Sequence, residues 1–386
     1  VFKGLTKSFN MYWTSCINRG GQERANHAAV AIGHRIYSFG GFCTDNMPKY
    51  MDVCCFDTIS LKWFMANYRI TNQSPRSCFG HSVVAYKDRI YLWGGESFFR
   101  SCNTLYCFEY GTLSWSIPET SGEGPKITDG HSACVIGDYM YIFGGYEEDT
   151  FGFSDKVFRI NLITFNWETV LTHGLPPSKR DFHTASVIGN FMYIFGGRSA
   201  RDSGEDYYLN DIMCLDTDSM VWSTPFCSGR LPNGRRSHSA VVYKGEIYII
   251  GGFDGVTLRH LNDVFKYNPV NSEWIELKVN GEPPCPRKRH CAVLVKDSIY
   301  LYGGSSPAQS IVIARDEGSL DMQEHSDLYV LEFFPTLKRL SILNIVDNRI
   351  DADDLPIALK EEIEWLKSQS RPAFGRRNYS AFSPTP

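Results

Sequence analysis

The chain has 386 residues, of which 43% are hydrophobic and 14% aromatic, enough to build a large core, and its formal net charge of −4 leaves no electrostatic footprint for nucleic acid or an anionic membrane. No early stretch has the pattern of a secretory signal and no apolar run reaches the length of a bilayer span, so a cytoplasmic and/or nuclear protein is expected. Most of the 12 cysteines sit singly, as Cys107, Cys134 and Cys214 do, with no CxxC pair or Cys/His metal spacing, so reduced and mostly buried thiols are expected, with no metal and no cofactor.

In chain order, the first element is a strand-like segment around Trp13, SFNMYWTSCIN at 8–18. A module then recurs six times, marked by an aromatic strand ending in paired glycines: IYSFGG to Gly41, IYLWGG to Gly95, MYIFGG to Gly145, MYIFGG to Gly197, IYIIGG to Gly252 and IYLYGG to Gly304. Consecutive pairs lie 50 to 55 residues apart, a period that marks an array of repeated supersecondary units. About a dozen residues before each pair stands a histidine followed by a small residue: His27, His81, His131, His183, His238 and His290. Some 20 to 25 residues after it stands a tryptophan, at Trp63, Trp115, Trp167, Trp222 and Trp274. Runs such as SAVVYKGEIYII join two Val/Ile/Tyr-rich strands through Lys-Gly, a hairpin signal, so each module is antiparallel sheet.

These landmarks resemble the kelch repeat, and the resemblance covers residues from about 20 to 334. It implies an all-β fold, a six-bladed kelch β-propeller, followed here by a short C-terminal helical segment. The sixth module ends in SDLYVLEFFPT without its tryptophan, so the segment around Trp13 is expected to supply the outermost strand of the last blade. The domain organisation is then a propeller over 8–334, a helical segment over 335–370 and a disordered tail over 371–386, the last rich in Ser, Pro and Gly.

In a four-stranded meander the loop before the first strand and the loop after the second fall on one face of the disc. The segments before each histidine carry Arg24, Arg180, Arg235, Arg236, Arg287 and Arg289, and those after each glycine pair carry Phe42, Tyr146, Arg198, Arg201 and Phe253. Clustered like charges are unfavourable, and a ligand bringing a carboxylate relieves them through two-point contacts with guanidinium forks. The competing role for such arginines is to brace neighbouring loops through backbone carbonyls, preferred for Arg24, Arg287 and Arg289. Ligand contact is preferred for Arg198, Arg201, Arg235 and Arg236. The histidines recur in every module, which points to a structural role within each sheet. No catalytic constellation emerges: Ser237 and His238 are adjacent in sequence, so their side chains diverge on a strand, and no phosphate-binding loop of the GxxxxGK[ST] type is present.

Beyond residue 334, Leu337, Leu340, Leu343 and Ile345, then Leu355, Leu359, Ile363 and Leu366, fall at spacings of three and four, predicting two short amphipathic helices with Pro356 at the first turn of the second. A helical lid on the propeller is one use for them. The run from Thr336 through Leu337, Leu340 and Ser341 is similar to the elongin-binding box of cullin-RING ligase substrate receptors, with Ser341 where cysteine is usual, and Leu355-Pro356 resembles a Cullin-2 box. Kelch receptors of this kind capture C-terminal degrons ending in glycine. The resemblance therefore implies a non-catalytic substrate receptor that assembles with elongin B, elongin C and Cullin-2 and binds client proteins through glycine-ended tails. Its carboxylate-binding positions fall on Arg198, Arg201 and Arg236, with Ser237 beside them, in a pocket that also draws on Arg180, Arg235, Tyr146, Phe182 and Phe253. Acidic residues nearby, Asp129, Asp181 or Glu147, would select a basic residue before the glycine. The alternative is a kelch interaction scaffold, a cytoskeletal or chromatin adaptor, without a ligase role.

Overall fold

Short β-branched and aromatic runs separated by two-residue turns fold locally into hairpins, and in the computed structural model those hairpins assemble into six sheets, each with four antiparallel strands, three of which gain a short fifth strand paired in parallel at the outer edge. The structure describes residues 11–16, 21–44, 48–97, 102–201, 203–308, 322–348 and 350–369; residues 8–10 and 17–18 of the first segment and the tail at 371–386 lie outside the described residues. The six blades begin at Ala28–Ile32, Ser82–Tyr86, Ser132–Ile136, Thr184–Ile188, Ser239–Tyr243 and Cys291–Val295. These innermost strands touch in cyclic order, the sixth returning to the first, which makes the array a closed propeller. In the sixth blade the fourth-strand position is taken by Tyr12–Cys16, antiparallel to Leu328–Glu332 with Trp13 opposite Leu331, and the two-residue strand Asn280–Gly281 pairs beyond it.

Apolar side chains of facing sheets make six clusters, one at each junction between neighbouring blades. An outer-strand tryptophan enters each: Trp115, Trp167, Trp222, Trp274, Trp63 and, for the blade closed by the N-terminal strand, Trp13. Removal of this apolar area from water is the main stabilising term.

The paired glycines are explained by the axis. The first of each pair has φ between 50° and 70° and the second between 90° and 104°, conformations that side chains rarely adopt. In the fourth blade a β-carbon on Gly197 would stand 2.7 Å from the Asp181 carbonyl oxygen and 2.9 Å from the His183 β-carbon, while one on Gly196 would meet the imidazole of His238 from the next blade at 2.9 Å. The glycines are thus the slots into which the recurring histidines fit. All six histidines are buried. Three of them bond the hydroxyl that follows the preceding blade's histidine: Ser82 to His131 at 2.8 Å, Ser132 to His183 at 2.7 Å and Thr184 to His238 at 2.9 Å. Burial holds their pKa values down, to about 3 for His81, about 4 for His131 and about 3 for His290.

After the sixth blade, Thr336 caps helix α1, Leu337–Asp347, by accepting the Arg339 backbone N–H at 3.1 Å; α2 spans Ile357–Gln369. Pro356 stands just before α2, its carbonyl accepting from Leu359 and Lys360. Ile342, Leu343, Ile363 and Leu366 are buried. An ion pair between Arg339 and Glu332, 3.3 Å, ties α1 to the last strand. The third strand of a blade runs antiparallel to the second, which ends at the glycines, so the helices start on the face opposite the glycine loops. Among the described residues no helix is long and apolar enough to cross a membrane, and no group of three or more His, Cys, Asp or Glu side chains is arranged to hold a metal ion.

Candidate functional site

Three residues precede each histidine, and each position has its own fate. The residue immediately before it is left-handed in every blade: Asn26, Gly80, Gly130, Phe182, Ser237 and Arg289 have φ of 58°, 70°, 64°, 49°, 55° and 61°. That turn carries the backbone inward, where the six form a closed ring of N–H to carbonyl hydrogen bonds of 2.7 to 2.9 Å, each blade bonding the one before it. The ring frames an axial shaft of ≈ 100 Å³ into which the histidines also face.

The residue two before the histidine pairs by a β-bridge with the residue after the glycines: Ala25 with Phe42, Phe79 with Glu96, Asp181 with Arg198, Arg236 with Phe253, and Lys288 with Ser305; Asp129 pairs likewise with Tyr146. These pairs make the rim of the opening.

The residue three before the histidine is buried. Where it is arginine, the guanidinium turns into its own blade. Arg180 donates to the Gly196 carbonyl at 3.0 Å and makes two 2.8 Å bonds to Asp211. Arg235 does the same with Gly251 at 3.0 Å and Asp263 at 2.6 and 2.9 Å. Arg24 and Arg287 repeat the arrangement with Gly40 and Asp52, and with Gly303 and Asp327. Arg180 and Arg235, expected among the ligand-binding residues, are 0% and 1% exposed and have their donors committed, so they are corrected to structural braces. Arg24 and Arg287 act as braces, the role preferred for them.

Arg289, for which the brace role is preferred by sequence, belongs to the inner ring and faces the opening. Around Phe182 stand three guanidiniums, those of Arg198 at 6.0 Å, Arg236 at 5.8 Å and Arg289 at 5.8 Å from the ring centroid. Arg236 also lies over Phe253 at 5.5 Å, and Lys288 lies over the same ring at 4.8 Å. Cation–π attraction orients these charges but does not neutralise them. Among the described residues Arg236, Lys288 and Arg289 have no carboxylate within ion-pair distance, although sixteen such pairs occur elsewhere. Buried Nε atoms of Arg236 and Arg289, and the buried Ser237 hydroxyl, lack a hydrogen-bond partner. Burial, then the neighbouring Arg289 and Arg236, pushes the Lys288 ammonium down to about 8. Burial and the same crowding by Arg236 and Arg198 lower the Arg289 guanidinium from its usual value.

The other expected cations stand apart from this group in their pairing. Arg198 is already held by Asp181, at 2.5 and 3.1 Å, and by Asp206 at 3.3 Å. Arg201 is exposed and pairs with Glu205 at 3.6 Å, both in water. Tyr146 sits on the acidic side of the opening, opposite Asp129 in the bridge. There burial, reinforced by Asp181 and Glu96, pushes the Asp129 carboxyl up to about 7. Burial also pushes the Asp181 carboxyl up, against the pull of Arg198. Glu147 is buried and accepts from Thr150 at 3.2 Å. The opening thus has a cationic side from the fifth and sixth blades and an acidic side from the second to the fourth.

Lys288 is the residue of this group that the sequence left out, and Arg289 the one it preferred as a brace. A signal for them exists. The aspartates that engage the buried arginines, Asp52, Asp211, Asp263 and Asp327, stand at one repeat position, just before the third strand or, for Asp263, within its longer counterpart. Blades two and three carry Thr104 and Lys156 there, and Cys78 and Thr128 in place of the arginine. An arginine three before the histidine has a partner waiting; one at the next two positions does not.

The helical residues are also placed. Leu337 is 84% exposed, Ser341 and Pro356 are exposed, and Leu340 and Leu355 are partly buried. Ile357, beside Pro356, is 77% exposed.

A family model described as the KLHDC2/KLHL20/DRC7 Kelch-repeats domain matches residues 80–304. Kelch domain-containing protein 3 of Rattus norvegicus is 41% identical over 372 residues, covering 93% of this chain and 96% of that protein. Its Homo sapiens counterpart is 40% identical over the same shares. Host cell factor 2 of Homo sapiens is 29% identical over 256 residues, 61% of this chain and 32% of that protein. With its six blades, glycine slots and matching relatives, the chain belongs to the kelch-repeat family.

Proposed function

We propose that this propeller is the substrate-recognition subunit of a Cullin-2 RING ubiquitin ligase, a non-catalytic receptor that captures protein tails ending in a free glycine carboxylate. The observation that carries the binding half is the group Arg236, Lys288 and Arg289, three cations with no ion pair among the described residues, two of them with unpartnered buried N–H donors, beside the unpartnered Ser237 hydroxyl. Holding such charges together is unfavourable, and a carboxylate entering this side of the opening would relieve it through charge-assisted hydrogen bonds. Phe182 and Phe253 wall the place where the carboxylate would sit. Close approach of the guanidiniums to the peptide end favours a residue without a side chain. Asp129, with Asp181 and Glu96 around it, suits a basic residue just before that glycine, whose charge would draw the proton from Asp129.

The ligase half rests on the helical hairpin. Its buried residues serve its own packing, while Leu337, Ser341, Pro356 and Ile357 remain at the surface, available to a partner. In this reading elongin C takes the Leu337 and Leu340 side of α1, elongin B joins through elongin C, and Cullin-2 takes the Leu355-Pro356 turn. The client is held on one face of the disc and the ligase on the other, in the cytoplasm and/or nucleus.

A pull-down of the tagged chain, probed for elongin B, elongin C and Cullin-2, tests the ligase half. All three should be present, and lost from Leu337→Ala/Leu340→Ala; their absence from the wild-type sample would leave an interaction scaffold. Peptides ending in glycine with a free or amidated terminus test the binding half, and equal affinity would rule out carboxylate capture.

A further inference from the structure

Two hairpins rise from the rim side by side. One pairs Tyr146–Glu147 with Gly152–Phe153 after the third blade's glycines; the other pairs Arg198–Ala200 with Asp206–Tyr208 after the fourth's. Between them lies a groove of ≈ 570 Å³, far larger than the ≈ 140 Å³ recess on the acidic side between Glu96, Ile127 and Glu148. Its first wall is aromatic: Tyr146 and Phe153 meet edge to face at 5.6 Å, and Phe151 stands at the tip with 81% of its surface exposed. Its second wall is polar, with Lys179, Arg198 and Asp206.

The groove and the cationic side of the opening share Arg198. The Arg198 guanidinium carbon is 5.2 Å from the Phe153 ring centroid and 6.0 Å from that of Phe182, so the two rings lie within about 11 Å of each other, the span of about three extended residues. A chain anchored by its end beside Phe182 and leaving outward therefore reaches Phe153 with its third or fourth residue. An exposed aromatic tip is costly in water unless something covers it, and such patches mark binding surfaces.

We propose that this groove is a second specificity subsite, which takes a large apolar or aromatic side chain at the third or fourth position from the end of the bound tail. The inference rests on the carboxylate-capture reading and adds to it a selection made away from the terminus. Tyr146 and Phe153 form the apolar wall, Phe151 folds over the side chain, and the ion-paired Arg198 separates this subsite from the carboxylate. Two selections then act on one tail: charge at its end, apolar area a few residues earlier.

The test uses the full chain and labelled peptides with a free terminal glycine, carrying Leu, Phe, Ala or Asp at the third or the fourth position from the end. At one of these positions Leu or Phe should bind about fivefold to tenfold tighter than Ala, with Asp weakest. Phe151→Ala, a change at an exposed tip, should erase that preference while keeping the discrimination between free and amidated termini. Affinity indifferent to both positions, with the free terminus still required, overturns the subsite and leaves the opening intact. A preference that survives Phe151→Ala unchanged also overturns it. Loss of the free-terminus requirement would remove the anchor itself and both proposals together.

Discussion

Arg235 and Arg236 differ by one position in sequence and by everything else in the structure. Arg235 is 1% exposed, bonded to a glycine carbonyl and clasped by Asp263; Arg236 lies over two phenylalanine rings with a buried Nε unpartnered and, among the described residues, no ion pair. Arg287 and Arg289 repeat the contrast in the next blade. A charged side chain in a propeller is structural when the repeat supplies its counter-ion and available to a ligand when it does not. Residue type decides neither.

The largest expected effect comes from breaking the structural side. Arg180→Ala leaves the Gly196 carbonyl and the partly exposed Asp211 without their donor, and removing so large a buried side chain together with its hydrogen bonds costs about 3–5 kcal/mol. The loss should appear as a lowered denaturation midpoint, with peptide affinity per folded molecule unchanged. A change confined to affinity would move Arg180 to the binding side of the contrast.

Next comes the slot that shapes the rim. Gly197→Ala forces an alanine to φ 104° against the Asp181 carbonyl, so a cost of about 1–3 kcal/mol from backbone conformation alone is expected in urea unfolding. Tolerance of alanine there would contradict the account of the paired glycines.

The rim cations should behave oppositely to the braces. Arg236→Ala or Arg289→Ala should weaken binding of a glycine-ended peptide by about tenfold to a hundredfold, as expected for a charge-assisted bond of roughly 1.5–3 kcal/mol, while leaving stability unchanged or improved. Calorimetric binding and thermal unfolding on the same samples separate the two outcomes. A loss of stability like that of Arg180→Ala would mean that a partner for these cations exists within the fold.

Smaller effects follow from pH, with opposite signs in the two regions. The axial histidines are held neutral by burial, their folded pKa values lying below the ordinary 6.5. Their contribution is fully present above pH 6.5 and is lost as pH falls from there towards about 4 and 3, so the denaturation midpoint should drop over that window. Lys288, pushed down to about 8, loses its charge as pH rises through that value in the free protein, whereas a bound carboxylate would hold the proton on. Peptide affinity should therefore weaken between pH 7 and 9, and Lys288→Ala should remove that step. A flat profile in wild type would place Lys288 away from the ligand.

The repeat period, the glycine pairs, the histidines and five tryptophans were legible in the sequence because each is a local answer to a requirement met six times over: a slot, its occupant and a wedge between sheets. The roles of the arginines were not, because the distinction depends on aspartates 28 to 40 residues further along, across loops whose length varies from blade to blade. The sequence drew attention to GGRSARD as the ligand loop. In the structure Arg198 of that loop is already paired with Asp181 and Asp206, and the uncompensated charge lies one and two blades onward. Position relative to the histidine, rather than the number of arginines in a loop, separates the two roles.

A double-mutant comparison tests the central claim most directly: the affinities of one glycine-ended peptide and its C-terminal amide for the wild-type chain and for Arg236→Ala/Arg289→Ala. The account predicts that amidation weakens binding to wild type by at least about tenfold and makes little difference to the variant, because the carboxylate and these two guanidiniums form one interaction. An amide penalty of the same size in both proteins would show that the carboxylate is read elsewhere.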